Sequence, residues 1–340
     1  VQLHAKHSHL REFVRRHGGE NDLIKEDSSV RYSVELISPE RKIELAEEYA
    51  DQVLYEVKSE IYGCCIKLLT GMRDVRNRWE DSFYFMSQSV RSHGRMYVVN
   101  EPGDKNRVLY DPQSKTAFLV NFDYYGWIKS LALSLAGDIL EDEHGIHSVH
   151  GACLDLDGRG ICIIGGSGTG KTTHTYGLLR DPRVRVVSDD WFFGRIYGRD
   201  VLGYGSEKNF YIRSELASIW KEFSWLVERA ELDSMGRGVV DLRWAIGKGR
   251  ILPLTTIRHV FILKRDSSDD RIVRLSPEDA LQTVEKNGYF NPHLLVDGDL
   301  KRRIRSGFFR AMLSGASVWV VNTTGTPEET QSMIRDAIGV

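Results

Sequence analysis

The stretch Ile161-Cys162-Ile163-Ile164-Gly165-Gly166-Ser167-Gly168-Thr169-Gly170-Lys171-Thr172-Thr173 decides how this chain is read. Its apolar opening reads as a buried strand, its glycines as a loop, and the following Lys171-Thr172-Thr173-His174-Thr175-Tyr176 as the start of a helix. Gly165 to Thr172 satisfies G-x-x-x-x-G-K-[ST] in the strand, loop and helix context that the motif requires. Glycines let the backbone wrap around an anion with its N–H groups pointing inward, and the helix N-terminus adds partial positive charge. In this reading Gly165, Gly166, Ser167, Gly168, Thr169, Gly170, Lys171, Thr172 and Thr173 cradle the phosphates of a nucleotide. Lys171 reaches the β- and γ-phosphates, and the Thr172 hydroxyl is a ligand of the Mg²⁺ that bridges them. With 31 glycines in 340 residues, a chance match arises in about one chain in fifty, before strand and helix context is required.

Downstream, Val184-Arg185-Val186-Val187-Ser188 reads as a strand that delivers Asp189 and Asp190 to its carboxyl end, the edge where open α/β sheets bind ligands. Neighbours in an extended chain point to opposite sides, so the two acids divide the work. One is a Mg²⁺ ligand and the other the base that accepts a hydroxyl proton from the phosphoryl acceptor, with Asp189 favoured as base and Asp190 as metal-linked. Upstream, Asp157-Gly158-Arg159-Gly160 reads as a hairpin turn, whose register places His150 opposite residues 165–167. An imidazole there could bind a second metal ion, assist proton transfer or contact the transferring phosphate.

Working outward, the second half alternates strand and helix, the pattern of an α/β core. The expected division is a polar arm over 1–30, an α+β domain over 31–135 and a nucleotide-binding domain over 136–340. In the first domain Ser38-Pro39-Glu40 reads as a helix cap, followed by one long or broken helix to about residue 71. Residues 82–122 read as an antiparallel meander, and 124–145 as a helix stopping at Gly145. Lys plus Arg number 46 and Asp plus Glu 48, a net charge of −2, so no global field points to nucleic acid or a membrane. No apolar run is long enough to span a bilayer. The opening VQLHAKHSHLREFVRR has no signal-like apolar core, and Cys64, Cys65, Cys153 and Cys162 form neither a zinc pattern nor a disulfide framework. A cytoplasmic protein is expected.

His150-Gly151, the loop from Gly165 to Thr173 and Ser188-Asp189-Asp190 together resemble the core shared by HPr kinase/phosphorylase and ATP-dependent phosphoenolpyruvate carboxykinase. The resemblance spans about residues 147–335. GGSGTGKTT looks like the carboxykinase loop more than the HPr kinase loop. VFILKRDSSDDRIVRLSPEDALQTVEKNGY and VWVVNTTG are similar in layout to later carboxykinase segments. The resemblance implies a carboxykinase-like α/β fold with a mixed sheet, ATP and Mg²⁺ (or Mn²⁺) as cofactors, a catalytic or metal-binding role for His150, and an active-site arginine at Arg250. The carboxykinase's substrate-binding arginine and tyrosine-lysine region have no equivalent, nor has the glycine-rich second signature of HPr kinase. GSEKNFYIRSEL stands in that region, where Glu207 is a candidate metal ligand and Arg213 a candidate phosphate contact. The run Lys301-Arg302-Arg303-Arg305 is a solvated helix face or an anchor for an anionic substrate.

These readings converge on an ATP- and Mg²⁺-dependent kinase acting on a hydroxyl-bearing small molecule or seryl side chain, with self-association left open. The alternatives are a carboxykinase-type lyase and a nucleotide-gated binding module without turnover.

Overall fold

The computed structural model describes residues 32–103, 105–232, 236–266 and 271–340; the expected polar arm over 1–30 lies outside them. The architecture is mixed α/β and separates into two compact units. One comprises the described residues up to His144 together with His293–Gly298, and the other comprises Gly145–Pro292 and Asp299–Val340. The expected division between 135 and 136 falls inside a helix, and the units part at 144/145.

In the first unit the elements run β1 (Ser33–Leu36), α1 (Pro39–Glu48), β2 (Tyr55–Ile61), β3 (Cys64–Thr70), α2 (Arg73–Ser82), β4 (Tyr84–Phe85), β5 (Gly94–Val99), β6 (Arg107–Asp111), β7 (Thr116–Val120) and α3 (Tyr125–His144). The strands form one sheet in the order β1-β6-β7-β5-β3-β2-β4. Ser38 caps α1 by accepting the Arg41 N–H, with Pro39 in the first turn. The helix ends there, and the expected helical continuation is a β2–β3 hairpin. Tyr62 and Gly63, with φ of 47° and 79°, supply the two left-handed residues of a tight hairpin turn. The expected meander is also corrected. β5 runs parallel to both β3 and β7, and only β6 and β7 form an antiparallel hairpin. Short apolar runs carry the period of a strand but not its direction. Leu45 and Tyr49 of α1 pack with Leu109, Phe118 and Val120. Helix α3 is buried along nearly its whole length, as expected for a helix apolar on several sides.

The second unit holds β8 (Ile146–Leu156), β9 (Arg159–Gly165), α4 (Lys171–Leu179), β10 (Val184–Ser188), β11 (Trp191–Tyr197), β12 (Asp200–Gly205), β13 (Phe210–Arg213), α5 (Leu216–Ile219), α6 (Ser224–Arg229), β14 (Arg237–Val240), α7 (Leu242–Ile246), β15 (Leu254–Lys264), β16 (Ile272–Leu275), α8 (Pro277–Lys286), α9 (Asp299–Ser314), β17 (Ser317–Asn322) and α10 (Pro327–Ile338). In the main sheet β15 is parallel to β9 and to β17. Since β10 and β9 are both antiparallel to β8, β9, β10, β15 and β17 all end at one edge. That edge carries Gly165, Ser188, Lys264 and Asn322.

The β8–β9 turn uses Asp157 and Gly158, with φ of 52° and 82°, and brings Gly151 opposite Ile164. Strand β8 changes partners at this point, because His150 pairs with Trp191 of β11 whereas Gly151 pairs with β9. Apolar clusters on this sheet include Ile161, Ile163 and Phe261 in one, and Cys162, Ile164 and Phe308 in the other. The alternation along β9 divides its side chains between the two faces. All four cysteines are buried thiols.

A Cβ on Gly151 would stand 2.5 Å from the Ile163 carbonyl oxygen, a backbone atom that cannot swing away. Gly151→Ala is therefore expected to destabilise the protein by about 2 kcal/mol, read as a lower urea midpoint. An unchanged midpoint would mean that the close approach imposes no constraint.

Candidate active site

The loop between β9 and α4 is shaped by glycines at positions where side chains are costly. Gly168 and Gly170 have φ of 77° and 95°, in the left-handed region that favours glycine. A Cβ on Gly165 would lie 2.7 Å from the Leu263 carbonyl of β15. The Thr169 hydroxyl donates to the Gly166 carbonyl at 2.8 Å, and the Thr323 hydroxyl, just beyond β17, donates to the Thr169 carbonyl at 2.9 Å. The loop thus starts against the end of β15 and is hydrogen-bonded to the residue that follows β17.

Lys171 opens α4 and folds its ammonium back over the loop, donating to the carbonyls of Gly165 at 3.0 Å and Gly166 at 3.2 Å. Burial pushes its pKa down to about 8, with Asp190 acting to raise it and Arg213 to lower it further. Thr172 and Thr173 follow in the first turn, half-buried, and the Trp220 indole N–H donates to the Thr173 carbonyl at 2.7 Å. The first turn is further fixed by His174. Gln331 of α10 donates to its ring Nδ1 at 3.1 Å and to its carbonyl at 2.9 Å. Burial, with Arg265 adding, holds the His174 pKa down at about 4, so its ring is neutral near pH 7 and can accept at Nδ1.

Beyond β10 the two acids occupy different surroundings. Asp189 is buried, 3% exposed, and its Oδ2 accepts the Tyr211 backbone N–H at 3.0 Å. Asp190 is half-buried, and its Oδ1 lies 3.5 Å from His150 Nε2. The structure therefore gathers Lys171, Asp190 and His150 at the loop, and sets Asp189 behind them against β13. The Glu207 segment is anchored one residue earlier, where the Ser206 hydroxyl donates to the Trp191 carbonyl at 2.5 Å. Arg213, at the end of β13, is close enough to act on Lys171.

No cluster of three or more His, Cys, Asp or Glu that could enclose a metal ion occurs among the described residues. A Mg²⁺ ion shared with phosphates needs only one or two protein oxygens and water. The Thr172 hydroxyl and Asp190 carboxylate are hard donors of the right kind, and His150 adds a nitrogen suited to a softer ion.

Arg250 is not at this site. Its guanidinium donates to the carbonyls of Leu179, Asp181 and Val184 at 2.7–2.9 Å, at the opposite end of α4. A nine-residue helix separates it from the loop by about 13 Å. There a cation satisfies the carbonyls a helix C-terminus leaves open. The basic run on α9 is also divided, with Arg305 buried and Arg302 and Arg303 exposed. The supports supplied by His174, Gln331, Thr323 and Trp220 were not anticipated. The one sequence signal for them was the strand end Val321-Asn322-Thr323, which follows a run of strand character.

Comparisons with known proteins relate part of the chain to others. Over 122 residues, 32% of this chain, the sequence is 31% identical to the phosphoenolpyruvate carboxykinase (ATP) of Aeropyrum pernix. The chain covers 24% of that relative's length. The HPr(Ser) kinase/phosphatase from Coxiella burnetii aligns with 56% of this chain and 90% of that chain, at a TM-score of 0.32 and 12% identity. That structural likeness is too slight to carry a functional conclusion. No family model matches. The sequence match relates part of the chain to the P-loop kinase-like superfamily, as its loop and acids imply. No helix among the described residues is long and apolar enough to cross a membrane.

The two ends of α4 call for opposite outcomes. Lys171→Ala is expected to weaken ATP binding about 100-fold, the equivalent of roughly 3 kcal/mol, with little change in melting temperature. Arg250→Ala leaves buried carbonyls unpaired and is expected to cost about 2 kcal/mol of stability while ATP affinity stays within about twofold. Calorimetric titration and thermal melts check both, and a reversed pattern would exchange the two assignments.

Proposed function

We propose that this protein is an ATP- and Mg²⁺-dependent kinase that transfers the γ-phosphoryl group to a hydroxyl acceptor, working in the cytoplasm. The observation that carries the reading is the Lys171 ammonium held over the glycine loop with Asp190 and His150 beside it. In this reading the loop N–H groups and Lys171 bind the triphosphate and hold it in line with the incoming oxygen. Thr172 and Asp190 would hold Mg²⁺, which when bound neutralises charge on the phosphates. Asp189 takes the acceptor's hydroxyl proton, and the Tyr211 N–H on its other oxygen fixes its orientation. His150, paired with Asp190, either joins a second, softer cation site or contacts the transferring phosphate.

The acids should separate kinetically. Asp190→Asn is expected to raise the Mg²⁺ concentration needed for activity, and Asp189→Asn to lower kcat at least 100-fold with ATP binding retained. Identical modest effects would return both to a structural turn. If His150 serves a softer cation, Mn²⁺ stimulates beyond Mg²⁺, and His150→Ala removes only that excess. Equal loss with both metals assigns it to proton or phosphate contact.

The carboxykinase match favours one rival reading, in which ATP and oxaloacetate give phosphoenolpyruvate, ADP and CO₂. Incubation of the purified chain with γ-labelled ATP and a soluble extract tests the kinase, and CO₂ release from oxaloacetate tests the lyase. Labelled acceptor without CO₂ supports the first; oxaloacetate-dependent CO₂ overturns it in favour of the second.

A further inference from the structure

Helix α4 carries a polar group that the site described above does not use. Tyr176 stands four residues after Thr172, so the two share a face of the helix one turn apart. Its side chain is wholly buried, and its hydroxyl meets no hydrogen-bond partner among the described residues. A buried hydroxyl without a partner costs free energy that a phenylalanine of the same shape avoids. The ring is well enclosed. It meets Phe223 edge-on, with 5.2 Å between centroids, and belongs to one apolar cluster with Val186, Phe210 and Ile212. Val186 lies on β10, which delivers Asp189, and Phe210 and Ile212 flank Tyr211, whose N–H donates to the Asp189 carboxylate at 3.0 Å. Tyr176 thus shares a cluster with residues of both strands that hold the acid. Burial keeps its phenol well above the usual tyrosine range, and the Asp189 carboxylate adds to the rise. The hydroxyl is therefore a donor at neutral pH and lies within electrostatic reach of that acid.

A carboxylate that is 3% exposed needs donors around it to stay ionised. Its two oxygens offer about four lone-pair sites, of which the Tyr211 N–H takes one. We propose that the Tyr176 hydroxyl donates to the Asp189 carboxylate through one enclosed water, and so serves as a positioning residue for the base. A bridging water satisfies a buried hydroxyl that makes no direct bond to the acid, and such waters are integral parts of folded interiors. Held by donors from two elements, the carboxylate keeps its orientation towards the acceptor hydroxyl. The phenol gives up no proton in this role, and the acceptor's proton goes to Asp189 alone. The kinetic role rests on the kinase reading above, whereas the link between the two side chains does not.

A double-mutant cycle of Tyr176→Phe and Asp189→Ala in the full chain tests the link. Tyr176→Phe is expected to lower kcat about tenfold, to leave the ATP KM within about twofold, and to lower the urea midpoint. In the Asp189→Ala background the same substitution is expected to change neither kcat nor the midpoint. A kcat that Tyr176→Phe leaves unchanged, or lowers equally in both backgrounds, overturns the positioning role. If no acceptor is phosphorylated, the kinase reading fails, and the urea midpoints alone judge the link. A midpoint lowered only where Asp189 is present upholds it. A midpoint unchanged or raised by Tyr176→Phe overturns it, because a hydroxyl that serves nothing is dispensable. Equal lowering in both backgrounds overturns it as well. If Asp189→Ala does not fold, Asp189→Asn takes its place in the cycle. Its neutral amide is expected to at least halve the midpoint loss, and an undiminished loss overturns the link.

Discussion

The candidate site depends on the close backbone contact between β8, β9 and β15. Gly151 lets β8 press against the Ile163 carbonyl, and Gly165 lets β9 end against the Leu263 carbonyl. Any side chain at either place would push strands apart by more than a well-packed interior absorbs. With both glycines present, the hairpin register sets Gly151 opposite Ile164, where β8 passes to β11 and His150 pairs with Trp191, and the parallel pairing sets the loop beside the end of β15. Loop and histidine placement thus draw on one packed set of strands, β8, β9 and β15.

Electrostatics then works against burial. Lys171 is held where its charge is costly, and Asp190 offsets part of that cost while Arg213 adds to it. A triphosphate would supply the missing negative charge, so the loop is poised for an anion. Helix α4 is supported at both ends for the same reason. Its N-terminus opens from the glycine loop, and Arg250 covers the carbonyls at its other end. Gln331 and Trp220 hold its first turn from two further elements. A helix anchored this way can present its N-terminus without moving, which is how α10 and Trp220 contribute to a site that neither is known to touch.

What could be read in advance follows from how local the determining interactions are. The loop was legible because its glycines and Lys171 stand at fixed spacing, and the β8–β9 register because Asp157 and Gly158 admit only a short turn. The cap at Ser38 was legible for the same reason. Residues 55–70 were misread as helix because Tyr55-Glu56-Val57-Lys58-Ser59-Glu60-Ile61 carries apolar positions that fit either period, and the decisive Tyr62-Gly63 pair resembles a pause in a helix. Strand direction in residues 82–122 was not legible at all. β5 finds parallel partners on both sides through packing of residues distant in sequence.

Arg250 shows why a side chain's chemical type does not place it. An arginine before a proline-containing segment fits an active-site role, yet the chain returns beside β10 so that this residue meets the end of α4, where three unpaired carbonyls compete for it more effectively than a site about 13 Å away. Arg213 presents the converse case. Its segment marks it in the sequence as a candidate phosphate contact, and the Tyr211 N–H bond to Asp189 brings its strand to the acids. Arg250 is thus spent on the carbonyls at one end of α4, whereas Lys171 at the other end keeps a buried charge that an anion would offset.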